Sequence, residues 1–108
     1  MKVVFLRDAE EDLKELRRYI VSKFSKDTWL ETKRQINATV SSLTAFPQSG
    51  NIPKELAELG MAQYRQTLSG MNRIIYEVRG DLLYVHIVCD TRRDLRDLLA
   101  RRLLRAGQ

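Results

Sequence analysis

The sequence predicts an α+β fold: an N-terminal strand, an α-helical hairpin, an antiparallel β-meander and a short C-terminal helix. Three observations carry that prediction. In Met71 to Arg93, MNRIIYEVRGDLLYVHIVCDTRR, two apolar runs flank Gly80-Asp81, which reads as a hairpin followed by the start of a basic helix. Upstream, two stretches place apolar residues at steps of three and four, the spacing of amphipathic helices. Downstream, Leu95, Leu98, Leu99 and Leu103 repeat that spacing in a short, arginine-rich segment.

Lys2 to Leu6, KVVFL, is rich in β-branched and aromatic residues and is predicted as a strand that joins the sheet. Asp8 with Glu11 has the form of a capping box, so a helix is expected to start there. Its apolar stripe is Ala9, Leu13, Leu16, Ile20 and Phe24, and it frays near Ser25. Asp27 or Thr28 caps a second helix whose stripe is Trp29, Ile36, Val40 and Leu43; Pro47 ends it at Phe46. Neither helix buries its stripe alone, and the apolar sheet supplies the surface, at about 25 cal/mol for each Å² removed from water.

Pro47 to Asn51 is dense in turn formers and reads as the linker and mobile segment. Pro53 to Leu59 reads as one helical turn closed by Gly60. Ala62 to Leu68 is a strand, turned by Ser69-Gly70 into a second strand from Met71, where Ile74, Tyr76 and Val78 alternate with polar or opposite-facing positions. Gly80 supplies the positive φ of a tight turn. Leu82 to Cys89 is apolar almost throughout, as expected of a central strand covered on both faces. Asp90-Thr91 is expected to cap the last helix, which begins at about Arg92; Asp94 and Asp97 near its start and Arg101, Arg102 and Arg105 near its end suit the helix dipole.

A chain of 108 residues is expected to form one domain. Its 19 Lys and Arg against 14 Asp and Glu leave a formal charge of +5, which favours nucleic acid or a negatively charged protein segment as partner. One cysteine, Cys89, makes no internal disulfide, no apolar run approaches a membrane span, and the N-terminus turns acidic too soon for a signal peptide. The default expectation is therefore a reduced, cytoplasmic setting without membrane attachment.

Chemistry-bearing spacings are sparse. His86 is the only histidine and lies in an apolar strand, so a structural or interface role is preferred to catalysis, and neither metal nor cofactor is expected. Arginines are the more informative residues. Arg65 and Arg73 are expected to approach each other across paired strands, with Arg92, Arg93 and Arg96 nearby, giving a concave basic patch whose guanidinium forks suit phosphate. The alternative is that they are solvated or paired with Asp90, Asp94 and Glu77.

Three patterns together resemble the RelE/ParE superfamily of type II toxin-antitoxin toxins. They are FLRDAEEDLKELRRYI, then Tyr64-Arg65 with Asn72-Arg73-Ile74-Ile75-Tyr76-Glu77-Val78, and IVCDTRRDLRDLLARRL. The order of these segments spans nearly the whole chain. The resemblance implies a growth-inhibiting toxin neutralised by an antitoxin in a hetero-oligomeric complex, with Leu13, Leu16, Tyr19, Ile20 and Trp29 of the helical hairpin as antitoxin contacts.

The superfamily implies two targets. RelE-like members cut messenger RNA on the ribosome, and on that reading Arg73 and Arg92 stabilise phosphate while Tyr76 and His86 are acid-base candidates. ParE-like members poison DNA gyrase and are not nucleases. Beyond Arg93 there is no tyrosine, histidine or lysine, and Leu98 and Leu99 stand where RelE-like enzymes carry such a group. That absence and the DL-x-x-LL-x-RRL ending favour the ParE-like branch; a non-toxic binding module of the same fold is the further alternative.

Overall fold

The computed structural model describes residues 1–106, with side chains through Arg102. In chain order the elements are β1 (Lys2–Phe5), α1 (Arg7–Lys23), α2 (Lys26–Ala45), α3 (Lys54–Ala57), β2 (Tyr64–Ser69), β3 (Asn72–Arg79), β4 (Leu82–Asp90) and α4 (Leu95–Ala106). The strands form one sheet in the order β1-β4-β3-β2. β2, β3 and β4 are the expected antiparallel meander, and β1 runs parallel to β4. This makes β4 central, as its continuous apolar run requires.

Side-chain alternation divides the interior in two. Ile74, Tyr76, Leu83, Val85 and Val88 face α1 and α2, where Ala9, Ile36, Val40 and Leu43 cover them. Tyr64, Ile75, Ile87 and Cys89 face the other way, under Leu56 of α3 and Leu95, Leu98 and Leu99 of α4. The register slips between Ile75 and Tyr76, whose partners are Ile87 and Val85. His86 is therefore the extra residue of a β4 bulge, and alternation resumes beyond it.

The helix starts differ from those expected. α1 begins at Arg7 after Leu6, which offers no side-chain cap, and Asp8 sits inside the first turn, where a carboxylate favours the dipole. Glu11 pairs with Lys14 instead of closing a capping box. Ser25, not Asp27 or Thr28, caps α2: its Oγ accepts from the Thr28 amide at 3.0 Å. α4 starts at Leu95 and not near Arg92, because Asp94 Oδ1 accepts from the Asp97 amide at 3.1 Å, while Asp90 Oδ1 serves the Arg92 amide in a preceding turn. Phe24, placed in the α1 stripe, is 67% exposed because the helix stops at Lys23. The side chains of Leu103 and Arg105 lie outside the described residues.

The expected hairpin glycines are confirmed by geometry, with Gly70 at φ 58° and Gly80 at φ 57°. Gly80-Asp81 is the loop between β3 and β4; between β2 and β3 the loop is Gly70-Met71, one residue later than expected.

Pro47 to Asn51, expected as a mobile linker, is instead tied to the sheet. The Tyr76 hydroxyl donates to the Pro47 carbonyl at 2.8 Å and accepts from the Gly50 amide at 3.1 Å. Asn51 exchanges backbone bonds of 3.1 and 2.7 Å with Gln66 on the outer edge of β2. Arg65 donates to the Gly50 carbonyl at 2.8 Å. Glycine is required at position 50, since a Cβ there would fall on the Tyr76 hydroxyl and 2.5 Å from the Gln66 carbonyl oxygen. Gly50→Ala should cost about 1–3 kcal/mol of stability through this overlap; an unchanged urea midpoint would show that the loop yields freely.

Candidate functional site

The β2–β3 pairing decides what the sheet arginines can do together. Arg65 pairs with Tyr76, and Arg73 pairs with Leu68 and Cys89. Alternation therefore turns Arg65 towards the α1–α2 layer and Arg73 towards the α3–α4 layer. The two lie on opposite faces, and the concave patch expected from their convergence does not form.

Arg73 is buried. Its Nε and Nη2 donate to Gln66 Oε1 at 2.9 and 2.7 Å, and Nη2 also donates to Glu55 Oε1 at 2.8 Å. This guanidinium links α3 to the sheet. Glu55 carries no periodic signal in its short helical turn, and only the fold reveals it as a partner.

Tyr76 is fully buried and its hydroxyl is spent on the Pro47–Gly50 loop. Burial also pushes its phenol above the ordinary tyrosine range. His86 Nε2 lies 2.9 Å from Glu77 Oε1, while Arg79 Nε donates to Glu77 Oε2 at 2.9 Å. Tyr64 stacks edge-on against His86 with centroids 5.0 Å apart. This cluster shares the Arg73 face of the sheet, but Glu77 is four residues further along β3, about 13 Å at the usual strand rise.

The remaining arginines are nearer the surface. Arg92 is held by Asp90, with Nε 2.8 Å from Oδ1 and Nη2 3.1 Å from Oδ2, and those bonds keep the half-buried Asp90 carboxyl below its ordinary range. Arg96 reaches Glu58 at 3.7 Å. Arg93 makes no ion pair or hydrogen bond through its side chain among the described residues and borders two adjoining clefts. Of the hairpin residues expected to meet an antitoxin, Ile20 and Trp29 are buried and Leu13 and Leu16 pack partly against the core; Tyr19 is 55% exposed, edge-on to Phe24 at 6.5 Å.

Both clefts lie beside α1. One, of about 620 Å³, separates Asp8, Glu11 and Glu15 of α1 from Arg101 of α4; the other, of about 470 Å³, runs from Leu16 and Tyr19 to the end of β4. Between the layers lies a pair the sequence reading missed. Asp12 Oδ1 accepts from Arg102 Nη2, Asp12 Oδ2 accepts from the Val88 amide at 2.9 Å, and Arg102 Nη1 donates to the His86 carbonyl at 2.9 Å. A signal for it existed: Asp12 interrupts the apolar face of α1 between Ala9 and Leu16, and Arg102 interrupts the leucine face of α4.

The scan against family models matches residues 3–97 to "ParE toxin of type II toxin-antitoxin system, parDE". The chain belongs to the ParE toxin family. Among solved structures, this ParE-family chain is similar to one described as "Chromosomal ParDE TA system from P. aeruginosa", at TM-score 0.69 and 16% identity, covering 83% of this chain and 95% of that one. At that identity the likeness concerns the fold. No curated protein matches the sequence.

The buried pair has a pH signature. Desolvation pushes the Asp12 carboxyl above its ordinary range against the pull of Arg102 and the Val88 amide, so in the native state it takes up a proton at a pH where the unfolded chain has released one. Its contribution therefore favours folding as pH falls through the window between the unfolded and the raised native values. Asp90 has the opposite sign. Carboxyl-carbon NMR titration should place Asp12 above and Asp90 below the unfolded reference; the reverse order would contradict the burial argument. Arg102→Ala, which leaves the Asp12 charge without its cation, should cost about 3 kcal/mol in urea unfolding, and a loss near zero would make the pair energetically equivalent to a solvated one.

Proposed function

We propose that this ParE-family chain is the toxin of a type II pair that arrests bacterial growth from the cytoplasm by poisoning DNA gyrase, and that an acidic antitoxin neutralises it. The dispersal of its candidate nuclease groups is the observation that favours gyrase over messenger RNA. In-line attack on phosphate by a ribose hydroxyl needs a base, an acid and a phosphate-binding cation converging on a few ångströms. Here Arg73 is occupied by Glu55 and Gln66, the Tyr76 hydroxyl is enclosed, and His86 faces Glu77 at a distance along the strand. Arg92, Arg93 and Arg96 are the exposed cations on which target binding would rest, with Arg65 and Arg73 as supports of the sheet.

The testing experiment is a purified gyrase supercoiling assay run beside messenger RNA cleavage on translating ribosomes, with colony counts after expression of the chain alone. Expected are lost supercoiling with trapped cleaved DNA, intact messenger RNA and few colonies. Replacing Arg92, Arg93 and Arg96 together by alanine should relieve inhibition with Tm nearly unchanged, because all are solvent-facing. Ribosome-dependent cuts with gyrase untouched would replace this reading with the RelE-like one, and normal growth would remove the toxin reading.

A further inference from the structure

Three chain reversals converge on one end of the molecule. α1 starts beside the middle of β4, where the Leu6 amide donates to the Val85 carbonyl at 3.1 Å, and runs towards that strand's C-terminal end, so that Tyr19 lines a cleft with Asn72, Asp90 and Arg92. The α1–α2 connection at Phe24 and Ser25 follows directly. The β2–β3 loop and the β4–α4 turn are joined at the same end, since the Thr91 amide donates to the Met71 carbonyl at 2.9 Å. Large apolar side chains stand out here. Phe24 is edge-on to the exposed Tyr19, and Met71, 63% exposed, precedes the Asn72 that shares the cleft with Tyr19. Chain reversals ordinarily carry glycine or small polar residues, and no packing within the chain accounts for an exposed phenylalanine and methionine at two of them. Around these residues Arg92 lies beside Asp90, Arg96 reaches Glu58 at 3.7 Å, and Arg93 makes no ion pair among the described residues.

We propose that this end is an apolar knob, with Phe24, Tyr19 and Met71 as anchors, that seats in a recess of the target protein where a carboxylate meets Arg93; the proposal rests on the gyrase reading above and assigns the recess to gyrase itself, not to its DNA. Aromatic residues, methionine and arginine are the side chains that the centres of protein interfaces favour. An end built of reversals presents its side chains outwards, so the partner supplies the concave surface. A phosphate backbone asks instead for an unbroken cationic face, and Arg92 and Arg96 share their charge with Asp90 and Glu58. A second copy is disfavoured too: a twofold contact sets the same patch opposite itself, which brings Arg93 against Arg93 and leaves it without a carboxylate.

The probe is intact gyrase, with both subunits, titrated with the full chain while binding and the concentration that halves supercoiling are followed together. Phe24→Ser and Met71→Ser should each weaken both roughly tenfold, as loss of one anchor does, with Tm nearly that of the parent because both side chains are exposed. Phe46→Ser is the matched control: Phe46 is 71% exposed but lies at the other end of the sheet, next to the Pro47 that Tyr76 holds, and the variant should inhibit as the parent does. Equal inhibition by parent, Phe24→Ser and Met71→Ser would overturn the knob. So would saturable binding of a labelled DNA duplex by the chain alone that Met71→Ser abolishes, since DNA would then be the occupant, or a dimer in sedimentation that Met71→Ser dissociates, since a second copy would be. The two layers separate cleanly. If the parent inhibits and only the arginine replacements relieve it, the knob falls and the gyrase reading stands; if the parent leaves supercoiling untouched, the reading falls and the knob with it.

Discussion

The fold depends on how the central strand finds partners along its whole edge. A buried backbone amide or carbonyl without a partner costs as much as a lost hydrogen bond, so a strand whose neighbour is too short needs a substitute. β1 is only four residues long. Asp12 and Arg102 supply the substitute: each donates or accepts once on β4, and each neutralises the other. Because Asp12 belongs to the layer on one face and Arg102 to the layer on the other, the same contacts fasten both layers around the sheet's edge. The guanidinium fork is suited to this work, since one planar group reaches a carboxylate and a carbonyl together. Its Nε remains buried without a partner, a cost carried by an otherwise well-satisfied cluster.

At the other edge of the sheet the solution is different. β2 is flanked by Asn51, which pairs with Gln66, and the loop holding Asn51 is fixed from beneath by the Tyr76 hydroxyl. A tyrosine buried against one layer thereby positions a loop that shields a strand edge, which limits edge-to-edge association. Both edges thus depend on side chains from residues distant in sequence.

This explains what could be read beforehand. Strand and helix periodicities, the Gly80-Asp81 turn and the helical stop before Pro47 are local, and the structure follows them. Caps were less legible because several Ser, Thr and Asp residues crowd each helix start, and the chain's direction on leaving the previous element decides among them. The opposed arginines were legible in principle. A two-residue hairpin loop pairs residues whose numbers sum to an odd value, so Arg65 and Arg73, both odd, face opposite ways in either register. Pairs such as Asp12–Arg102 and Glu55–Arg73 leave only the trace of a charge inside or beside an apolar pattern, and nothing local names the partner.

Fold and binding surface meet at α4. Its leucines close one half of the interior, its Arg102 completes the β4 edge, and the turn before it carries Arg93 to the rim of both clefts. Anything that binds across those clefts engages the docked helix and not the undocked one, so binding there stabilises the docked state by mass action. Asp12 lines both clefts and Arg102 the 620 Å³ one, so disturbing their pair alters the cleft walls directly. The electrostatics point the same way. Arg73 and Arg102 are neutralised within the fold, so at this end of the molecule the cations left exposed to a partner are residues such as Arg92, Arg93 and Arg96.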